Sequence, residues 1–272
     1  MNRTDLHQAL RHFLIALQFF TRIPVTGSLA AWVGYSPEML RASSVYYPAV
    51  GWVVGSVGAL ALLLAHGFLP EGPLGVLIAA CVSTIVTVWL TGAFHEDGLA
   101  DTADGLGGHV ARERSLQIMK DSRIGTYGTV TLGLALALKV LLLALLAQSS
   151  AWAAASALLA AHALSRLAPL VVIRTMPYVS DPDQSKSKPL ADSLSGQEFR
   201  VACWWSVPAL LLLVLGHGIA SPFMAMILWV LALAYMLRLL RRRLQGFTGD
   251  TLGATQQICE LALYLGLVLQ WS

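Results

Sequence analysis

Seven apolar runs, each about as long as a helix that crosses a bilayer, take up most of this chain. They fall at approximately 44–68, 73–94, 128–148, 151–174, 201–217, 221–240 and 252–271, and a hydrocarbon core takes about 20 helical residues to cross. Lipid offers no partner to an exposed backbone N–H or C=O, so each run is expected to close its own hydrogen bonds as a helix. The predicted fold class is therefore all-α: a polytopic transmembrane helical bundle of about seven spans. Pro208 predicts a kink in the fifth span. With 56% hydrophobic and 12% charged residues, a water-exposed surface cannot be built on 272 residues. Cys81, Cys203 and Cys259 stand singly in apolar stretches, without metal-ligand spacing.

The chain reads as one integral membrane domain, residues 1–272. Within it, residues 1–25 carry Leu6, Leu10, Phe13, Leu14 and Leu17 at helical spacing, with Arg11 and Gln18 on other faces. That is the pattern of an interfacial amphipathic helix, a short core helix being the alternative. No small-residue cleavage site follows directly, so the segment does not read as a secretory signal. Two polar loops, 95–127 and 175–200, interrupt the apolar runs. The stretch Asp181–Pro189 in the second reads as a solvated connector or a lid.

Charge orients the bundle. With the N-terminus in the cytoplasm, the connections at 69–72, 149–150 and 218–220 lie outside, and none contains Lys or Arg. Sixteen of the eighteen basic residues then fall on the inner side, while Lys139 and Arg166 lie within spans. This bias predicts a multi-pass protein of the inner (cytoplasmic) membrane, with N-terminus and active site cytoplasmic. Membrane lipid is an expected partner and nucleic acid is not; a homo-oligomer stays open.

The acidic residues share this asymmetry. The densest cluster is His95-Glu-Asp-Gly-Leu-Ala-Asp-Thr-Ala-Asp-Gly-Leu-Gly-Gly108, just after the second span. On a helix, Asp97, Asp101 and Asp104 project within about 60° of one another. Three carboxylates on one stripe repel unless a cation sits among them, and hard oxygen ligands suit Mg²⁺ bridging to substrate phosphates. A solvated acidic face is the plain alternative. The glycines around them would let a bulky substrate approach the backbone. His95 is read as a general base or an anion ligand, against the ordinary reading of a hydrated helix-end histidine.

A second element, Leu116–Gly128, sets Lys120, Asp121, Ser122 and Arg123 before Gly125 and Gly128 at the entrance to the third span. Free N–H groups at a helix start, with Lys and Arg beside them, make a phosphate cradle. Beside a carboxylate cluster, that is the other half of a phosphoryl-transfer centre. A third element, Gly246–Glu260, carries Asp250, which could join the metal shell or orient a substrate hydroxyl. Glu260 lies inside an apolar helix and needs a partner, for which Lys139 and Arg166 are the candidates. His162 and Arg166 share a helix face, so Arg166 could instead face the catalytic vestibule.

These segments resemble the motifs of the cobalamin synthase family, the adenosylcobinamide-GDP ribazoletransferases. The resemblance rests on Phe94–Leu106, Ile118–Gly128 and Gly246–Ala254, with Phe19-Phe-Thr-Arg-Ile-Pro24 and Tyr47-Pro-Ala-Val-Gly-Trp52 in support. It implies a Mg²⁺-dependent membrane enzyme that joins α-ribazole, or α-ribazole 5′-phosphate, to adenosylcobinamide-GDP with release of GMP. On that reading Asp97, Asp101 and Asp104 hold the metal. Lys120, Asp121, Ser122, Arg123, Gly125 and Arg166 bind substrate. Asp104 or Asp250 takes the proton, with His95 as a further catalytic candidate. Two rivals are a CDP-alcohol phosphotransferase-like enzyme, from whose pattern Asp101 departs, and a corrinoid or cation transporter, which would centre its site at the membrane midplane.

Overall fold

The computed structural model describes residues 3–180 and 194–269. The Asp181–Pro189 stretch, read above as connector or lid, lies outside the described residues. Every long element is a helix. The N-terminal part comprises α1 (Arg3–Phe20), α2 (Gly27–Val33) and α3 (Pro37–Ala42), and a single 3-10 turn then leads into α4 (Tyr47–Phe68). The bundle continues through α5 (Pro73–Thr91), α6 (Phe94–Gly107), α7 (Arg112–Met119), α8 (Thr126–Ser149), α9 (Ala151–Ser165) and α10 (Ala168–Thr175). It closes with α11 (Gly196–His217), α12 (Ala220–Arg243) and α13 (Gly249–Val268).

Among the described residues six helical stretches are long and apolar enough to cross a membrane: 37–68, 73–91, 126–149, 151–175, 196–217 and 220–243. The seventh expected run is α13, a helix of matching length that falls outside this set. Its first half carries Thr251, Thr255, Gln256 and Glu260, all at most 1% exposed. α13 packs on α6, α8, α9, α10 and α12. It meets protein rather than lipid over that half, so its polar side chains find partners that a lipid-facing helix could not supply.

The α9–α10 span forms the centre of the bundle, 83% buried, whereas α11 and α12 are 22% and 28% buried and form its rim. Close approach of α4 to α9 depends on two glycines. A side chain at Gly51 would strike the His162 carbonyl, and one at Gly55 would lie 2.8 Å from the Leu159 Cα. Small residues at i and i+4 let membrane helices touch backbone to backbone. The central span breaks after Ser165, where Pro169 in the first turn of α10 removes a backbone donor. Arg166 sits in that break. Pro208, by contrast, lies inside α11, and helix continues through it. In α1, Leu6 and Leu10 are exposed while Ile15, Leu17 and Phe20 are buried, so the apolar stripe turns from the surface into the core along one helix.

Candidate active site at the α6–α8–α13 junction

The chain leaves α5 through two consecutive left-handed residues, Gly92 (φ 65°) and Ala93 (φ 58°). Their N–H groups donate to the carbonyls of Trp89 and Val88, and the Ala93 carbonyl accepts from Asp97 N at 2.8 Å. This elbow starts α6 at the end of the bundle. His95, Leu99, Thr102 and Leu106 turn inward, while Asp97 is exposed and Asp101 and Asp104 are half-buried.

α13 meets α6 at Gly98. A Cβ there would come within 2.6 Å of the Asp250 carbonyl and 3.1 Å of its Cα. Gly105 is likewise occupied by the side chain of Met119, and Gly107 by the Tyr127 ring. The glycines of the acidic helix therefore serve helix packing, and the space expected for a substrate at these positions is filled by protein. What Gly98 brings about is the convergence of Asp250 with Asp97 and Asp101. The Asp101 carboxyl is pushed up to about 7, by burial first and then by the charges of Asp97, Asp250 and Asp104. Asp250 is raised by burial and by Asp97.

Asp104, expected among the metal ligands, has partners within the protein. Its two carboxylate oxygens accept from Gly125 N at 2.7 Å and Gly128 N at 2.8 Å, so it caps the N-terminus of α8. A side chain at either glycine would collide with that carboxylate. The N–H groups expected to cradle a phosphate at Gly125 are satisfied by Asp104, which also ties the basic turn 120–125 to the acidic helix. Among the described residues no three His, Cys, Asp or Glu side chains stand as a set that could hold a metal ion. With Asp104 turned away, the acids form an open face rather than a closed shell.

In the basic turn, Lys120 and Ser122 are exposed. Asp121 grips Arg123 through both carboxylate oxygens, at 3.0 and 2.7 Å, and also accepts from the Arg123 N–H. The guanidinium holds the Asp121 carboxyl down at about 2. Asp121, expected to contact substrate, orients Arg123, whose side chain is 87% exposed.

The approach to Asp250 is pinned on both sides. Phe247 and Tyr178 form a parallel bridge: Phe247 N donates to the Pro177 carbonyl and Val179 N to the Phe247 carbonyl, each at 3.0 Å. Gly246 is required because a side chain there would strike Val179 and the Pro177 carbonyl. Thr248 and Thr251 then form a reciprocal capping box that starts α13 and fixes Asp250 in its first turn. Two arginines tie the ends together: Arg243 donates to the carbonyls of Leu106 and Gly108, and Arg112 to that of Leu244.

His95 lies on the opposite side of α6 from the aspartates, 4% exposed and stacked on Phe20. Burial, then the charge of Arg166, holds its imidazole well below the ordinary range, so it stays neutral. It walls a cavity of about 30 Å³ together with Phe19, Phe20, Tyr47, Phe94 and Arg166. Arg166 is 2% exposed and donates to the His162 carbonyl at 2.9 Å. Its Nε has no partner among the described residues.

Deeper in the bundle, Lys139 pairs with Glu260 at 2.7 Å, both at most 2% exposed. Gln256 and Tyr264 donate to the same carboxylate at 2.6 and 3.2 Å. Gln257 donates to Glu96 at 3.0 Å, giving Glu96 a partner that its position alone does not reveal. Of the two candidates for Glu260, Lys139 is the partner that makes the close contact, while Arg166 turns to His162 and the aromatic cavity.

Fold and junction together define a polytopic helical membrane protein with a carboxylate face at one end of its bundle, next to an exposed basic turn. Comparison with known proteins gives that class a family. Residues 12–268 match the model of the cobalamin-5-phosphate synthase family, and the chain belongs to that family. It is 53% identical to a protein of Polaromonas naphthalenivorans named adenosylcobinamide-GDP ribazoletransferase, over 96% of this chain and 99% of that one. Proteins of the same name from Leptothrix cholodnii and Shewanella amazonensis are 49% and 43% identical, each over at least 96% of both chains. No solved structure matches.

Proposed function

We propose that this chain is an adenosylcobinamide-GDP ribazoletransferase, joining α-ribazole or its 5′-phosphate to adenosylcobinamide-GDP with release of GMP. Full-length similarity to relatives of that name supports the reaction. The observation that carries the site is the convergence of Asp97, Asp101 and Asp250 where α6 and α13 touch at Gly98.

The donor set fits a divalent cation. Burial, and then the charges of Asp97, Asp250 and Asp104, push Asp101 up to about 7, so these carboxylates are oxygen ligands short of positive charge. Mg²⁺ is commonly held by one or two carboxylates, with substrate phosphates completing its shell. Asp97 and Asp101 would hold it, and it would supply charge neutralisation for the pyrophosphate. Asp104, committed to α8, is replaced in this reading by the substrate's own oxygens. Arg123, oriented by Asp121, and Lys120 bind the phosphates from the α7–α8 turn. The ribazole hydroxyl attacks the cobinamide-side phosphorus: its O–P bond forms, the pyrophosphate bridge P–O bond breaks, and GMP leaves with the bonding pair. Asp250 accepts the hydroxyl proton. In this reading the face opens to the cytoplasm, which the basic residues on the α6 side support.

The test is GMP release by purified protein from adenosylcobinamide-GDP. Release that requires both ribazole and Mg²⁺ is expected. Release without ribazole, or none with both present, would refute the assignment.

A further inference from the structure

A second feature lies on the lipid-facing side of the bundle. Between α5 and α8 runs a groove of about 780 Å³. Its walls are Leu77, Cys81, Ile85 and Val88 on one face of α5, with Ala137 and Leu141 opposite. From Leu77 to Trp89 it extends about 18 Å at 1.5 Å per residue. At the α6 end the groove meets Arg22, Gly92 and Ala93. Among the described residues Arg22 is the one charged residue that lines it. The Arg22 side chain makes no hydrogen bond or ion pair with any of the described residues. It lies across Gly92, where a Cβ would sit 3.0 Å from its Nε. Trp89, 64% exposed, stands at the same end, the level at which tryptophan meets headgroups.

We propose that this groove is a binding site for one anionic phospholipid of the surrounding bilayer. One acyl chain lies along α5 and α8, and the phosphate is held by Arg22. A straight apolar trough open to lipid and closed by one guanidinium, unpaired among the described residues, matches a molecule with a long hydrocarbon chain and an anionic head. A guanidinium binds phosphate through two parallel hydrogen bonds. A second copy of this chain seated in the groove would bury that guanidinium without a counter-charge, at a cost an apolar interface cannot offset. The site adjoins the left-handed elbow that starts α6, so the bound lipid packs against the turn that aims the aspartates. Nothing in this depends on the reaction proposed above.

Native mass spectrometry of the full chain, released from nanodiscs containing phosphatidylglycerol and phosphatidylcholine, tests it. The wild type is expected to retain one phosphatidylglycerol in preference to phosphatidylcholine. Arg22→Gln is expected to lower the phosphatidylglycerol-bound fraction about tenfold, the value of one charge-assisted contact. Ala137→Trp, at an exposed position, fills the groove and is expected to lower retention of either lipid, with thermal unfolding unchanged. Equal retention by all three proteins would overturn the site. Loss in Arg22→Gln but full retention in Ala137→Trp would show a headgroup contact without the groove, which also overturns it. A dimer replacing the lipid adduct would assign the groove to a second copy.

Discussion

Two groups of carboxylates, one in mid-bundle and one at the α6–α13 contact, are treated in opposite ways. In mid-bundle Glu260 receives Lys139, Gln256 and Tyr264, so the charge is matched and its oxygens are satisfied from three sides. At the α6–α13 contact, Asp101 lies within the field of Asp97 and Asp250, and burial first and then these charges and that of Asp104 raise it to about 7. A paired buried ion holds helices in register and leaves nothing for a ligand to do. An unpaired cluster at an open face is under strain that a cation and a phosphorylated substrate would relieve. Under the proposed function, the same contrast would separate scaffold from site without reference to any motif.

That contrast breaks if the open cluster proves to be structural. Asp101→Asn, or Asp97→Asn, is expected to lower turnover at saturating Mg²⁺ at least about a thousandfold, a barrier increase of about 4 kcal/mol. The same variants should unfold at an equal or higher temperature, because a repulsive charge has been removed. Steady-state GMP release and thermal unfolding measured on one preparation check both halves. Near-normal turnover in both variants would assign the aspartates to a solvated face.

The mid-bundle pair should show the reverse pattern. Glu260→Ala leaves Lys139 buried without a counter-charge and is expected to destabilise the fold by about 3–5 kcal/mol. The double variant Lys139→Met, Glu260→Met removes both charges and is expected to recover most of that loss. Denaturant titration in detergent measures the cycle. If the double variant is as unstable as the single one, the pair's role goes beyond charge balance.

Asp104 stands between the two regions, acidic like the site yet satisfied like the scaffold. Asp104→Ala removes the cap of α8 and is expected to cost about 1–2 kcal/mol of stability. Gly125→Ala, which pushes a methyl group into the same carboxylate, should cost a similar amount. Turnover would fall through displacement of the Lys120–Arg123 turn, raising KM more than it lowers kcat. A kcat loss as deep as that of Asp101→Asn would return Asp104 to the metal shell.

Much of this architecture is legible from residue order. Spans appear because lipid forces apolar runs of fixed length, and Lys139 and Glu260 stand out because charges inside such runs need partners. The helical period places Asp97, Asp101 and Asp104 on one stripe, but period alone does not say what faces the stripe. Asp104 looks equivalent to its neighbours until the α8 entrance is packed against it. Its role was signalled only by Gly125-x-x-Gly128, two small residues at a helix start that leave room for a capping carboxylate. Asp250 joins the site through a backbone contact at Gly98, 152 residues earlier in the chain, and Gln257 reaches Glu96 by the same long-range packing. α13 reads as a seventh lipid-facing span because hydropathy averages over its polar first half, which faces the protein interior.

The smallest expected effect is a pH dependence of stability that only the unpaired cluster produces. Asp101 has an ordinary value near 3.8 and is raised to about 7 in the folded protein. Below about pH 4 it is protonated in both folded and unfolded chains, and above 7 it is ionised in both. Between these limits the folded protein holds more proton than the unfolded one, so stability falls as pH rises through this window. Asp250, also raised, adds to the slope in the same direction. Thermal unfolding of the metal-free protein from pH 4 to 8 is therefore expected to show a declining midpoint. Asp101→Asn should flatten that decline, leaving the residual slope of Asp250. Mg²⁺ should raise the midpoint most at the high-pH end, where the carboxylates are ionised and crowded. A decline unchanged by Asp101→Asn would place the titrating group elsewhere and remove the electrostatic distinction between the two regions.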